Sequence, residues 1–313
     1  MSRPLRIEYP GAFYHVMNRG LERRDIFKSP ADFQYFLELL TSQFMKYGLI
    51  VHAYCLMSNH YHLFIETPLG HISKIMRAVD GHYTQKFNKC YKRNGPLFQG
   101  RYKALLVDKD SYSLELSRYI HLNPVKAGMT KTPQEYPYSS YSSFLSNTHP
   151  YLFLNTSWIL SQFHTKTNQA KKHFTDFTLQ GLTDTWSPDS QSFKNTILGS
   201  PGFISQIQDR FLNHKHDREI PELKQSQRQR TQEDVVKYLV NVNLAEHTKQ
   251  KLLVYLLKTK THYSLKDIAL ISNKNIHAVS KSVSRFEQEI KQSKLLREIL
   301  SEAEAALTGM SNV

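Results

Sequence analysis

Two short patterns in this sequence could do chemistry. The first is His60-Tyr61-His62, within Val51 to Thr67, VHAYCLMSNHYHLFIET. If the run from His60 is extended, its side chains alternate. His60, His62, Phe64 and Glu66 then share one face, and Tyr61, Leu63 and Ile65 share the other. Two neutral imidazoles side by side on a strand can ligate a divalent metal. Two histidines at a strand edge with ordinary hydrogen bonds are the plainer reading of the same spacing. The second pattern lies in SYSLELSRYIHLNPVKAG, residues 111–128. Glu115, Tyr119 and Asn123 are four apart, so a helix projects them from one face. A phenol hydroxyl and an amide oxygen stand one turn apart there, with His121 on a different side.

These residues need elements to hold them. Ala12 to Asn18 reads as a first strand and Gly20 to Arg24 as a loop. Pro30 to Tyr47 carries Phe33, Phe36, Leu37, Leu40 and Phe44 at helical spacing, opened by Ser29-Pro30. Two strands then flank Met57-Ser58-Asn59, with Ser58 and Asn59 as turn residues. Gly70 to Tyr91 is helical, with Ile72, Ile75, Met76, Val79, Tyr83 and Phe87 in one stripe. Lys103 to Val107 is a short strand, and the helix from Ser111 is expected to stop before Pro124. This order gives an α+β fold: a ferredoxin-like, split βαβ antiparallel sheet with helices on one side and the other face free.

The chain of 313 residues is long enough for two domains. Cys55 and Cys90 make neither a disulfide framework nor a CxxC zinc pattern. The start lacks the apolar core of a signal peptide, and no apolar run has transmembrane length, so a cytoplasmic protein without a membrane partner is expected. A net charge of +14 and a pI near 9.5 point to a polyanionic partner, with nucleic acid first and acidic lipid second. The charge is shared along the chain: residues 1–130 hold 18 Lys and Arg against 10 Asp and Glu. The 18 Tyr and 17 Phe add surfaces on which unpaired bases can stack.

The expected division is 1–145 for the sheet domain, 146–230 for a connecting region with some helix, 231–290 for a separate helical unit and 291–313 for a helical tail. HKHDREIPELKQSQRQR reads as a polar linker, and Lys291 to Leu307 as an exposed helix. SLKDIALISNKNIHAVSKSVSRFEQEI has helix-turn-helix spacing. Leu265, Ile268 and Ala269 would pack one helix, and Ile276, Val279 and Val283 the inner side of the next. His277, Ser280, Lys281, Ser284 and Arg285 are expected outward, as a recognition helix requires. An ordinary helical hairpin fits the same spacing.

The HxH strand, then GPLFQGRYKALLVD, then SRYIHLNPVKAG together resemble the HUH (His-hydrophobic-His) single-tyrosine transposases, and within them the REP-associated tyrosine transposases. The resemblance spans roughly residues 3–145, and one motif departs from it, with Phe98 in LFQGR where the family often has Trp. It implies a divalent metal, Mg²⁺ or Mn²⁺, on His60 and His62, Tyr119 as nucleophile and Asn123 completing the metal site. Gln99, Arg101 and Lys103 become candidate DNA contacts. The resemblance further implies strand transfer on single-stranded or hairpin DNA through a phosphotyrosine, and a homodimer as an assembly to test. A tyrosine phenol, with an ordinary pKa near 10, needs activation by the metal or a cation such as Arg118 or Lys126. Tyr83 is the competing nucleophile. A regulator that binds DNA without cleaving it, and an RNA-binding module, are the other classes open to this sequence.

Overall fold

A computed structural model describes residues 7–146, 150–193, 196–212, 232–240, 242, 244–261, 263 and 265–309. Two compact units divide the chain: one comprises 7–107 and 113–182, the other 108–112 and the described residues from 183 onward.

The first unit is built on the strands β1 (Ala12–Arg19), β2 (Ile50–Met57), β3 (His60–Thr67) and β4 (Lys103–Val107), in the order β2-β3-β1-β4. All pairs are antiparallel. The β2–β3 hairpin turns at Ser58-Asn59, pairing Met57 with His60 and so fixing which face each histidine takes. Helices α1 (Pro30–Tyr47) and α2 (Ile72–Cys90) pack on the Tyr61 face, where the Phe36 and Tyr61 ring centroids are 4.9 Å apart. Helix α1 begins with a capping box of Ser29 and Asp32 and ends at Gly48, whose φ of 63° is the left-handed conformation that favours glycine. Tyr83 is buried in this layer, its hydroxyl donating to the Ile26 carbonyl. It packs on the opposite face of the sheet from His62.

The other face is not free, contrary to the sequence expectation. Helix α3 (Lys109–Lys126) and the short helices α4 (Tyr141–Leu145), α5 (Ser157–Ser161) and α6 (Thr167–Gln180) follow the sheet strands in the chain. Trp158 of α5 closes over Phe13, His52 and Phe64 at 5.3, 4.8 and 6.3 Å. His121 of α3 meets Ser140 (Nε2···Oγ, 2.8 Å), and Ser140 Oγ accepts from the Tyr54 amide of β2. The reason lies in composition: Phe13, His52 and Phe64 put more ring surface on this face than water tolerates. Helix α3 also runs past Pro124. Proline removes one helical donor yet does not end the helix, which closes at Gly128 with φ of 70°.

The second unit holds α7 (Pro188–Gln191), the two-residue strand β5 (Ile197–Leu198), α8 (Pro201–Ile207), α9 (Gln232–Val240), α10 (Glu246–Lys260), α11 (Leu265–Ile271), α12 (Ile276–Gln292) and α13 (Lys294–Gly309). The expected polar linker lies outside the described residues. Helices α11 and α12 are joined by four residues, with Asn273 at φ of 50° and the Asn275 side chain capping α12 through the Ala278 amide at 2.7 Å. Leu265, Ile268, Ala269, Val279 and Val283 are buried as the spacing predicts. Ser280 is a correction: it is 3% exposed rather than outward. It lies four residues after Ile276 and three before Val283, which puts it on their stripe. Lys281 and Arg285 are exposed, and His277 and Ser284 half-buried. Helix α13 is not wholly exposed either, since Ile299 and Ala303 are buried and Tyr238 of α9 donates to the Ile299 carbonyl. Among the described residues no helix is long and apolar enough to cross a membrane.

Candidate metal and nucleophile site

β3 and α3 bring His60, His62, Tyr119 and Asn123 together. The His60 and His62 rings are 5.0 Å apart and nearly perpendicular, and the Tyr119 ring stands edge-on to His62 at 5.6 Å. Tyr119 and Asn123 are half-buried on one face of α3, and Asn123 Nδ2 donates to the Tyr119 carbonyl at 2.9 Å. The Asn123 side chain also lies beside His60, where it favours the protonated ring. With Nδ2 used on Tyr119, the amide oxygen Oδ1 is the atom left for a metal.

Both histidines have their proton affinity lowered. Burial lowers that of His60 first and the nearby Arg19 charge second, while the neighbouring Asn123 amide works the other way. Burial depresses His62 further, with His15 and His60 adding to it. Neutral imidazole is the metal-binding form. The free nitrogens can be identified. His60 Nδ1 lies 2.6 Å from Asn59 Oδ1, and Asn59 is oriented by its Nδ2 donating to the Arg23 carbonyl. Facing an acceptor, His60 Nδ1 must carry the hydrogen, which leaves Nε2 for a ligand. His62 Nδ1 is 3.0 Å from His15 Nε2, so its Nε2 is likewise the nitrogen not engaged by His15. Among the described residues no three His, Cys, Asp or Glu side chains are grouped to hold a metal. A metal here would therefore take two imidazole nitrogens, the Asn123 oxygen and open positions, a set that suits Mg²⁺ or Mn²⁺ bound to phosphate and water.

The other candidates separate. Glu66 pairs with His52 at 3.1 Å, four residues or about 13 Å along the strand from His62. Glu115 is buried one turn before Tyr119. Arg118 is buried with its guanidinium 4.5 Å over the Phe177 ring, on the side of α3 away from Tyr119's face. Gln99 is exposed and accepts from Arg19 Nε. Lys103 is half-buried on β4, in one cross-strand row with Met17 and His62. Arg101 instead lines a groove of about 750 Å³ beside α2, with Arg77, Asp80 and Phe98. Lys126 is exposed at the end of α3.

Three residues that sequence reasoning missed frame the site: Arg19, Asn59 and His15. Arg19 is the cross-strand partner of His60 and places a cation beside it. Asn59 looked only like a turn residue. His15 carries no local signal, because its contact with His62 depends on the β1–β3 register, which the local sequence does not state.

Residues 9–123 match the sequence model of the family described as transposase IS200 like. That span runs from the residues before β1 to Asn123 and contains the whole site. Over it, the resemblance to HUH single-tyrosine transposases holds. Two solved structures are similar: a REP-associated tyrosine transposase bound to a REP hairpin, at 19% identity and a TM-score of 0.40, covering 47% of this chain and 87% of that one; and a chain assigned as a transposase from Deinococcus radiodurans R1, at 18% identity and a TM-score of 0.27, covering 38% and 94%. No curated protein matches in sequence.

Proposed function

We propose that this chain is a DNA transposase that cuts and rejoins single-stranded DNA, at hairpin or palindromic sites, through a covalent bond to Tyr119. The observation that carries this reading is Tyr119 edge-on to His62, with Asn123 one turn on, bonded to the Tyr119 carbonyl and beside His60. In the cleavage step, Tyr119 Oη forms a bond to phosphorus and the P–O3′ bond breaks. The phenol proton passes to solvent, the departing 3′ oxygen takes one up, and the phosphate stays as a 5′-phosphotyrosine. Rejoining reverses this with a 3′-OH as nucleophile. Mg²⁺ or Mn²⁺ on His60, His62 and Asn123 would supply positive charge to the phosphodiester oxygens. Arg19, held by Gln99, adds a fixed cation on the same side, and Lys103 extends it. The net charge of +14 supports a polyanionic substrate.

The proposed organisation keeps catalysis within 1–145 and assigns 231–290 to DNA recognition, with α11 and α12 as a helix-turn-helix presenting His277, Lys281 and Arg285. That hairpin also favours a second reading, a regulator that binds DNA without cutting it. One experiment decides. Purified protein is incubated with labelled single-stranded hairpin DNA from beside its own gene and Mg²⁺ or Mn²⁺, then run on a denaturing gel with Tyr119→Phe and with His60→Ala/His62→Ala. A protein-linked band that needs metal and vanishes in both variants is expected. Binding without a covalent band, for several hairpins and both metals, would select the regulator.

A further inference from the structure

We infer that His15 is a positioning residue that fixes the tautomer of His62 and so prepares it to bind metal. The inference rests on the proposed metal reading of the site. His15 lies at the middle of β1, between β3 and β4, with no exposed surface. Its ring stacks on that of His62 at 5.2 Å with 16° between planes, and Nε2 of His15 is 3.0 Å from Nδ1 of His62. On this sheet face β1 otherwise carries Phe13, Met17 and, at its end, Arg19, and an apolar side chain at position 15 would satisfy the buried part of that pattern. A buried imidazole costs free energy unless it is hydrogen-bonded, and the bond it makes is to a candidate ligand.

One hydrogen lies between the two nitrogens when both rings are neutral, so there are two arrangements. If His15 Nε2 carries it, His62 accepts at Nδ1 and must hold its own hydrogen on Nε2, which closes Nε2 to a metal. If His62 Nδ1 carries it, His15 accepts and His62 Nε2 presents a lone pair. Only the second arrangement makes His62 a ligand through the same atom as His60, where Asn59 plays the equivalent part. The two histidines are thus set by two different neighbours, one from the turn and one from the adjacent strand. Groups bonded to the far nitrogen of a ligating histidine commonly change metal affinity by about 10–100-fold when removed.

The test uses the full chain with ¹⁵N-labelled histidine. In metal-free protein, long-range ¹H–¹⁵N spectra should show His62 with its hydrogen on Nδ1, and His15→Phe should shift it toward Nε2–H. Mn²⁺ titration followed by electron paramagnetic resonance should show binding about 10–100-fold weaker in His15→Phe. It should stay within a few-fold of wild type in His15→Gln, whose amide oxygen can accept the same hydrogen. Wild-type His62 with its hydrogen on Nε2, unchanged Mn²⁺ affinity in His15→Phe, or equal loss in both variants would each overturn the inference. If His15→Phe does not fold, the wild-type spectrum still decides. Failure of the underlying reading looks different: Mn²⁺ would bind His62→Ala as tightly as wild type, while the spectrum would still report what His15 does.

Discussion

At the scale of single residues, burial holds His121 in its neutral form, and the cost appears as pH dependence. His121 is completely buried among Tyr141, Phe144 and Phe174, and burial takes its pKa down to about 3. The unfolded chain protonates this ring near 6.5 and the folded chain does not, so unfolding takes up a proton between those values. Stability from His121 is therefore full above about pH 6.5 and is lost progressively as pH falls toward 3. His121→Phe, which keeps an aromatic ring in the cluster, should lower the slope of unfolding free energy against pH between 4 and 6. One proton fewer corresponds to about 1.4 kcal/mol per pH unit. Urea unfolding followed by Trp158 fluorescence, in a Trp186→Phe background, measures it; parallel slopes would mean that His121 protonates within the fold. Alternation put His60 and His62 on one face and helical spacing put Tyr119 and Asn123 on another, while their roles came only with the family resemblance. The His15 contact was not legible, because no local pattern states which residue two strands away an imidazole will touch.

At the scale of elements, the entry to α1 ties several parts of the first unit together. Asp32 Oδ2 accepts from the Lys28 and Ser29 amides at 2.9 Å each and from the Tyr91 hydroxyl at 2.7 Å. Removing it leaves two helix-entry amides and the end of α2 without that acceptor. Asp32→Ala should cost about 2–3 kcal/mol, against about 1 for Ser29→Ala, a single cap. Equal losses in urea unfolding would show that Tyr91 adds nothing. Gly20, where β1 meets the site, is constrained in the same way. A Cβ on Gly20 would lie 2.0 Å from the Arg24 carbonyl oxygen, while the Gly20 amide donates to the Asn59 carbonyl at 2.8 Å. Gly20→Ala should therefore move Asn59 and lower Mn²⁺ affinity along with stability, whereas Gly81→Ala, with open space around its Cβ, should do neither. Mn²⁺ titration of both variants checks this. The strand and helix boundaries through β4 followed from periodicity and caps. The failures came where tertiary packing overrode a local rule. Pro124 is tolerated because it falls in the last turn of α3, which ends at Lys126, the second sheet face is covered because its rings demand it, and Ser280 is buried because a small side chain suits a helix interface.

At the scale of the whole molecule, the proposal divides two tasks between residues far apart in sequence: strand chemistry at Tyr119 and duplex recognition along α12. Lys281 and Arg285 are exposed on α12 while Val279, Ser280 and Val283 face its own unit. If these cations neutralise DNA phosphates, each contact releases counterions and contributes about 0.9 to the slope of log affinity against log salt. Lys281→Ala/Arg285→Ala should then weaken binding to duplex DNA flanking the cleavage site and reduce that slope by about 2. The covalent Tyr119 band on saturating single-stranded hairpin should stay near wild type, because neither residue belongs to the catalytic set. Fluorescence anisotropy at several salt concentrations, beside the denaturing gel, reads both quantities from one preparation. An unchanged slope would remove α12 from the DNA interface and leave the helical hairpin a packing unit. Loss of the covalent band at saturation would mean instead that α12 acts on the cleaved strand itself, and the two tasks would not be divided as proposed.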